Sequence, residues 1–283
     1  MTNINFGNSL NGRNKNALYA LFEVGEIFQL TFSSFEEMKK RIENDISEVF
    51  TLSYPIGFKP DKTSLLGKRE YQKTDLLGRI SNLSNEKLAL NGIYQLITIV
   101  EAYLGDLIRL IILRYPKKIG GKRTIQCSEI LEADDMESIY LKVANSVLNE
   151  LSYKSPREFA EESKKITSIN FLECPTFHKY VEIKATRDIH IHNLGIANEL
   201  YLSKASTHSR AKLGQYLHVD NIYLLESYEA CLQFIEWLEL KLHEVWPSSD
   251  YEERIEEKNK EKLEKLAQPS ASPDPANSAG PVS

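Results

Sequence analysis

A chain of 283 residues, 42% of them apolar, is long enough to bury a substantial core, and one main domain with appendages is the natural division. Its net charge of −5 gives no global attraction to nucleic acid, so any RNA contact has to come from a local patch. There is no apolar run of the roughly eighteen residues that a membrane span needs, and the opening "MTNINFGNSLNGRNKN" lacks a signal-peptide core, so a soluble cytoplasmic protein with no membrane contact is expected. Cys127, Cys174 and Cys231 are odd in number and lack ligand spacing, which argues against a disulfide framework and a zinc site alike. Reduced thiols are expected, with neither a metal nor a cofactor.

Residues 1–83 read as an N-terminal helical extension that packs on the main bundle or on a partner. It comprises a polar arm, an apolar-rich stretch from Ala17 to Phe32, and a helix opening at Ser34-Phe35-Glu36-Glu37, which has the form of a capping box. Phe35, Met38, Ile42, Ile46 and Val49 supply that helix with an apolar face. The following "YPIGFKPDKTSLLGKREYQ", punctuated by Pro and Gly, predicts an irregular connection.

The main bundle is expected over 84–247. Its longest helix runs from about Ser84 to Tyr115, with Ile93, Leu96, Ile97, Val100, Leu104, Leu107, Ile108 and Ile111 as the apolar stripe that makes it the centre. Opposite lies a strip containing Ala102 and Gly105, small enough to let another helix approach. Glu101 sits at the stripe's edge, where a carboxylate needs a partner, and Arg187 is the partner expected; a half-exposed Glu101 without one is the competing reading. Between Asp106 and Glu129 the chain carries Arg109, Arg114, Lys117, Lys118, Lys122 and Arg123 with no acidic residue. This basic run either complements a helix C-terminus or contacts RNA.

After a Gly120-Gly121 turn, Ser128 is expected to cap a helix start and a helix is predicted from about Asp134 to Tyr153. Ser155-Pro156-Arg157-Glu158 then combines an N-cap, a proline at the first helical position and a capping-box Glu, which predicts a short helix to about Ile166. Residues 196–220 read as a long loop of largely solvated side chains, Lys204, His208, Arg210, Lys212 and His218 among them. A last bundle helix is expected from Asp220 to Trp246, with Cys231 on its apolar stripe as a core residue. A charged helix over 248–267 and a disordered tail over 268–283 complete the division.

The densest chemistry lies in Arg187-Asp188-Ile189-His190-Ile191-His192-Asn193, at the end of a helix opened by Pro175 and stopped by Asn193 and Gly195. Arg187 and His192 are five positions apart, which on a regular helix sets them about 140° round the axis, so the pair needs either a distorted helix or two juxtaposed copies. His190, three positions from Arg187, is the easier partner by geometry and stays a rival. A histidine at a helix C-terminus has its cation favoured by the macrodipole, which suits a proton donor near neutral pH.

"RDIHIHNLGIANELYL", together with "IVEAYLGDLIRLIILRYP", resembles the HEPN family (higher eukaryotes and prokaryotes nucleotide-binding), whose signature is R-x4-6-H, and the resemblance covers about residues 84–246. It implies an all-α bundle that dimerises through the motif helices and, in many members, cleaves RNA without a metal. Arg187 and His192 are then the functional pair, with Asp188 as the polar residue after the Arg and Asn193 as the residue after the His. One subgroup carries a Tyr two places after the His as a site of nucleotide modification; Leu194 stands there, so that mechanism is not supported. In a bacterial or phage-defence setting the resemblance further implies a toxin or abortive-infection role, with an antitoxin or defence-system partner.

Three functions compete on this reading. The first is a metal-independent endoribonuclease acting through Arg187, His192, Asp188, His190 and Asn193, with Arg109, Arg114, Lys117, Lys118 and Glu101 as the RNA-binding residues. The second is a non-catalytic HEPN module that binds nucleotide or RNA as a scaffold, and the third is a purely structural Arg187–Glu101 pair with histidines satisfying a helix end.

Overall fold

The computed structural model describes residues 3–120 and 124–267. The protein is all-α apart from one two-stranded sheet among these residues. The elements in order are α1 (Asn3–Asn44), β1 (Val49–Phe58), β2 (Ser64–Gln72), α2 (Lys73–Asn82), α3 (Leu88–Arg114), α4 (Cys127–Leu131), α5 (Met136–Ser152), α6 (Pro156–Thr167), α7 (Phe177–His192), α8 (Glu199–Ala205), α9 (Asn221–Val245) and α10 (Ser249–Ala267). The tail over 268–283 lies outside the described residues. So do Gly121, Lys122 and Arg123.

α3 is the axis of the bundle, as its stripe predicts: Ile93, Leu96, Ile97, Val100 and Ile111 have no exposed surface. α1, α5, α7 and α9 pack round it. The close approach of α9 falls at Gly92, where an added Cβ would stand 2.7 Å from Leu224, and not at Gly105, where it would meet nothing within 4 Å. The small residue at Gly105 therefore admits no helix. It borders open space.

The N-terminal extension differs from the expectation in two places. The polar arm, the apolar stretch and the helix from Ser34 are one continuous α1, because Phe6, Leu10, Leu18, Leu21, Val24 and Phe28 recur at helical spacing and sit in the same core cluster as α3 and α9. Burial of that stripe holds the polar start helical. Ser34 accordingly donates back to the carbonyl of Leu30 at 2.9 Å, in mid-helix, and caps nothing. The expected irregular connection is an antiparallel hairpin with a register shift between Pro55 and Gly57. A two-stranded ribbon has only edges, so Pro55 removes no essential ladder bond, and Phe50, Leu52 and Tyr71 anchor the ribbon on Ile42, Leu76 and Ile80.

Elsewhere the local signals hold with small shifts. The expected start of α3 near Ser84 falls in a π-helical turn, Leu83–Lys87, that joins α2 to α3. Asp135 caps α5 by accepting from the backbone N–H of Ser138 at 2.8 Å, and Ser128 lies inside α4. The capping box at Ser155 and Glu158 is formed in both directions.

Candidate functional site

α7 is buried on nearly every side, with Phe177, Tyr180, Val181, Ile183, Ala185, Thr186 and Ile189 all enclosed. It ends where the backbone N–H groups of Asn193 and Gly195 both reach the carbonyl of Ile189, at 2.8 and 3.1 Å. Leu194 (φ 52°) and Gly195 (φ 80°) take the left-handed conformation there, whereas Asn193 does not. Gly195 is required twice, since a Cβ would also stand 2.5 Å from the Tyr216 ring and 2.8 Å from the His190 ring.

The expected Glu101–Arg187 pair is formed. Arg187 Nη2 donates to Glu101 Oε2 at 2.7 Å. Lys184, one turn before Arg187 on the same face, donates to Glu101 Oε1 at 2.5 Å. Arg187 Nε faces Asp188 Oδ1 at 3.0 Å, and Lys204 of α8 reaches Asp188 Oδ2 at 3.4 Å. The charges thus alternate as Lys184, Glu101, Arg187, Asp188, Lys204. Burial opposes ionisation of Glu101, but the charges and hydrogen bonds of Lys184 and then Arg187 together outweigh it and hold its pKa below the ordinary carboxylate value.

The two motif histidines have different fates. His190 is 9% exposed, and its Nε2–H donates to the carbonyl of Leu217 at 2.8 Å while the ring edge meets Tyr216. Burial lowers its pKa, against the opposing pull of the Leu217 bond, so it is held as the neutral ring. It makes no contact with Arg187, the partner that spacing alone suggested. His192 is exposed at the last helical position of α7. Asn193 donates to the carbonyl of Ile196 at 2.5 Å and so fixes the turn.

The basic run is dispersed along α3 and the turn after it. Arg109 pairs with Asp106 at 2.5 Å and reaches Asn145, Arg114 lies over the Tyr115 ring, and Lys118 donates to Ser168 at 2.8 Å while covering the Trp246 ring. Lys117 is exposed. On a rise of about 1.5 Å per residue, Arg109 and Arg114 stand roughly 12 and 20 Å along α3 from Glu101. The run therefore forms no single surface with Arg187, and Lys122 and Arg123 fall outside the described residues.

A second buried cluster, unmarked in the sequence reading, centres on Glu182, which is 1% exposed. Its Oε1 accepts from the Thr186 hydroxyl at 2.7 Å, the Tyr201 hydroxyl at 3.1 Å and Arg210 Nε at 3.1 Å, and its Oε2 from the Tyr223 hydroxyl at 2.8 Å. Arg210 also stacks over the Tyr223 ring at 3.4 Å and donates to the carbonyl of His218 at 2.9 Å. Residues 196–220 thus contain α8 and are fastened to α7 and α9 through Arg210, while His208, Lys212 and His218 are solvated as expected. The signal for it was a lone Glu in "KYVEIKAT", flanked by residues that had to be buried, with Thr186 four positions on.

Compared with protein-family models, with curated proteins and with solved structures, the chain has no match. Among the described residues no three His, Cys, Asp or Glu side chains converge as a metal-ligand set, and no helix is long and apolar enough to cross a membrane. Cys174 and Cys231 are buried free thiols, with Cys231 pushed up to about 12 by burial, and Cys127 is an exposed one.

Proposed function

We propose that this protein is a HEPN-type, metal-independent endoribonuclease acting in the cytoplasm as a homodimer that meets at the exposed C-terminal end of α7, in a toxin or antiviral-defence role. One observation supports the choice of residues. α7 presents His192 to solvent at its C-terminal end, while His190, two positions earlier, is committed to the carbonyl of Leu217. Because α7 is regular through His192, Arg187 and His192 point about 140° apart within one chain. The working cleft is then composite, with His192 of one copy beside Arg187 of the other.

In this scheme His192 takes the proton of the RNA 2′-hydroxyl. The 2′-oxygen forms a bond to phosphorus, the bond to the 5′-oxygen breaks, and a proton goes to that leaving oxygen, leaving a 2′,3′-cyclic phosphate. Arg187, with Asp188 alongside to orient it, neutralises the phosphate through its planar fork. The test is cleavage of single-stranded RNA by the dimer in EDTA. Arg187→Ala and His192→Ala should each lower cleavage by about a hundredfold or more without unfolding the protein. A dispensable His192 sinks the assignment.

The occupied state of Arg187 favours a second reading. Its guanidinium is already matched by Glu101 and Asp188, which suits a module that binds nucleotide or RNA as a scaffold without cutting. A folded wild type that cleaves no RNA yet binds it through Arg187 would establish that reading instead.

A further inference from the structure

A groove of 310 Å³ opens between α3, α5, α6, α7 and α8, beside the Glu101 carboxylate. That volume is at the lower end of the range of about 300–1,000 Å³ in which small-molecule sites fall. Its floor is apolar, formed by Leu104, Ile108, Leu148, Leu151, Phe159 and Val181. Its rim carries three lysines from three separate pieces of chain: Lys154 between α5 and α6, Lys184 on α7 and Lys204 on α8. Against them stands one lining carboxylate, Glu101, which Lys184 shares with Arg187. Lys204 holds Asp188 at a loose 3.4 Å, and Lys154 is drawn to Glu158 in the first turn of α6 but forms no ion pair within 4 Å among the described residues.

Gly105 supplies an independent argument. It sits in the middle of α3, where glycine costs roughly 0.5–1 kcal/mol relative to alanine, and it lines the groove. No neighbour requires it, since a Cβ there would meet nothing within 4 Å. Gly12 and Gly78 are equally unconstrained helical glycines, but Gly105 alone of the three lines the groove, and a side chain there would narrow the opening.

We propose that this groove is a binding site for a small amphiphilic monoanion, a medium-chain or arylalkyl carboxylate, with its apolar body on the floor and its carboxylate between Lys154 and Lys204. The lining decides against a nucleobase. Apart from the lysines its polar side chains are Glu101, Ser152 and the phenol of Tyr180, with no Asn or Gln to read a base edge, and the walls are largely helical backbone whose own hydrogen bonds are internal. The groove adjoins the residues of the ribonuclease reading, since Glu101 and Lys204 pair with Arg187 and Asp188, but neither Arg187 nor His192 lines it.

The experiment is calorimetric titration of the full chain with decanoate, with decanol as the uncharged arm and adenosine monophosphate as the nucleotide arm. Decanoate should saturate one site, with decanol about tenfold weaker for want of the charge-assisted contacts. Lys154→Met combined with Lys204→Met should weaken decanoate by about tenfold and leave decanol unchanged. Gly105→Leu, which fills the groove and favours the helix, should abolish decanoate binding while the melting temperature stays at or above that of the wild type. No saturation by decanoate up to about 1 mM, unchanged binding to Gly105→Leu, or tighter binding of adenosine monophosphate at the same site would overturn the proposal.

Discussion

Replacing Glu182 with alanine should be the most damaging single change in the motif region, and its cost can be worked from the contacts. Glu182 is 1% exposed and is the counter-charge of Arg210, whose side chain is 26% exposed. Breaking a fully buried pair costs about 3–5 kcal/mol, and partial water access to Arg210 brings that toward the lower figure. The hydroxyls of Thr186, Tyr201 and Tyr223 also lose their shared acceptor, at roughly 1 kcal/mol each before coupling among them is allowed for. Thr186 and Tyr223 can still bond each other at 3.2 Å, which recovers part of this. A loss of about 4 kcal/mol follows, a large share of the roughly 5–15 kcal/mol that holds a domain folded, and it corresponds to a fall in melting temperature of about 8–16 °C. Urea denaturation measures it directly. The double variant Glu182→Ala/Arg210→Ala should lose clearly less than the sum of the two single changes, because Arg210 is harmful mainly when left alone. A Glu182→Ala loss below about 1 kcal/mol, or strict additivity in the cycle, would refute the view that this network fastens 196–220 to α7.

Two further changes test neighbouring features. Glu101→Ala should cost about 2 kcal/mol, between the values for exposed and buried pairs because its side chain is 32% exposed. Since the folded pKa of Glu101 lies below the reference 4.5, its contribution is complete above that pH and disappears as pH falls through the lowered folded value, so the difference between wild type and Glu101→Ala should vanish at the acid end of a pH series of urea melts. Gly195→Ala should cost about 1–3 kcal/mol through positive-φ strain and the clash with Tyr216 and His190, with amide exchange rising first at the C-terminal turn of α7; unchanged stability would show that this turn can relax.

What the sequence determined is the set of features that depend on near neighbours in the chain. The α3 stripe, the Ser155 capping box, the core position of Cys231 and the Gly195 stop could all be read directly, because a helix's buried face and its ends are set by residues within four positions. The pairing of Arg187 with Glu101 was legible for a different reason, that a carboxylate at the margin of an apolar stripe requires a cation, whereas the part taken by Lys184 was not legible. Tertiary structure decided the rest. The polar N-terminus became helix only because α3 and α9 cover its apolar stripe, and the punctuated stretch after it became a hairpin because Phe50, Leu52 and Tyr71 found a surface on α1 and α2. The different surroundings of His190 and His192 were likewise set at a distance. Leu217, twenty-seven residues on, supplies the carbonyl that takes up His190, and it is brought there by a strap that the buried charge of Glu182 holds in place through Arg210. Spacing along one helix cannot reveal a hydrogen bond whose acceptor arrives from another part of the chain.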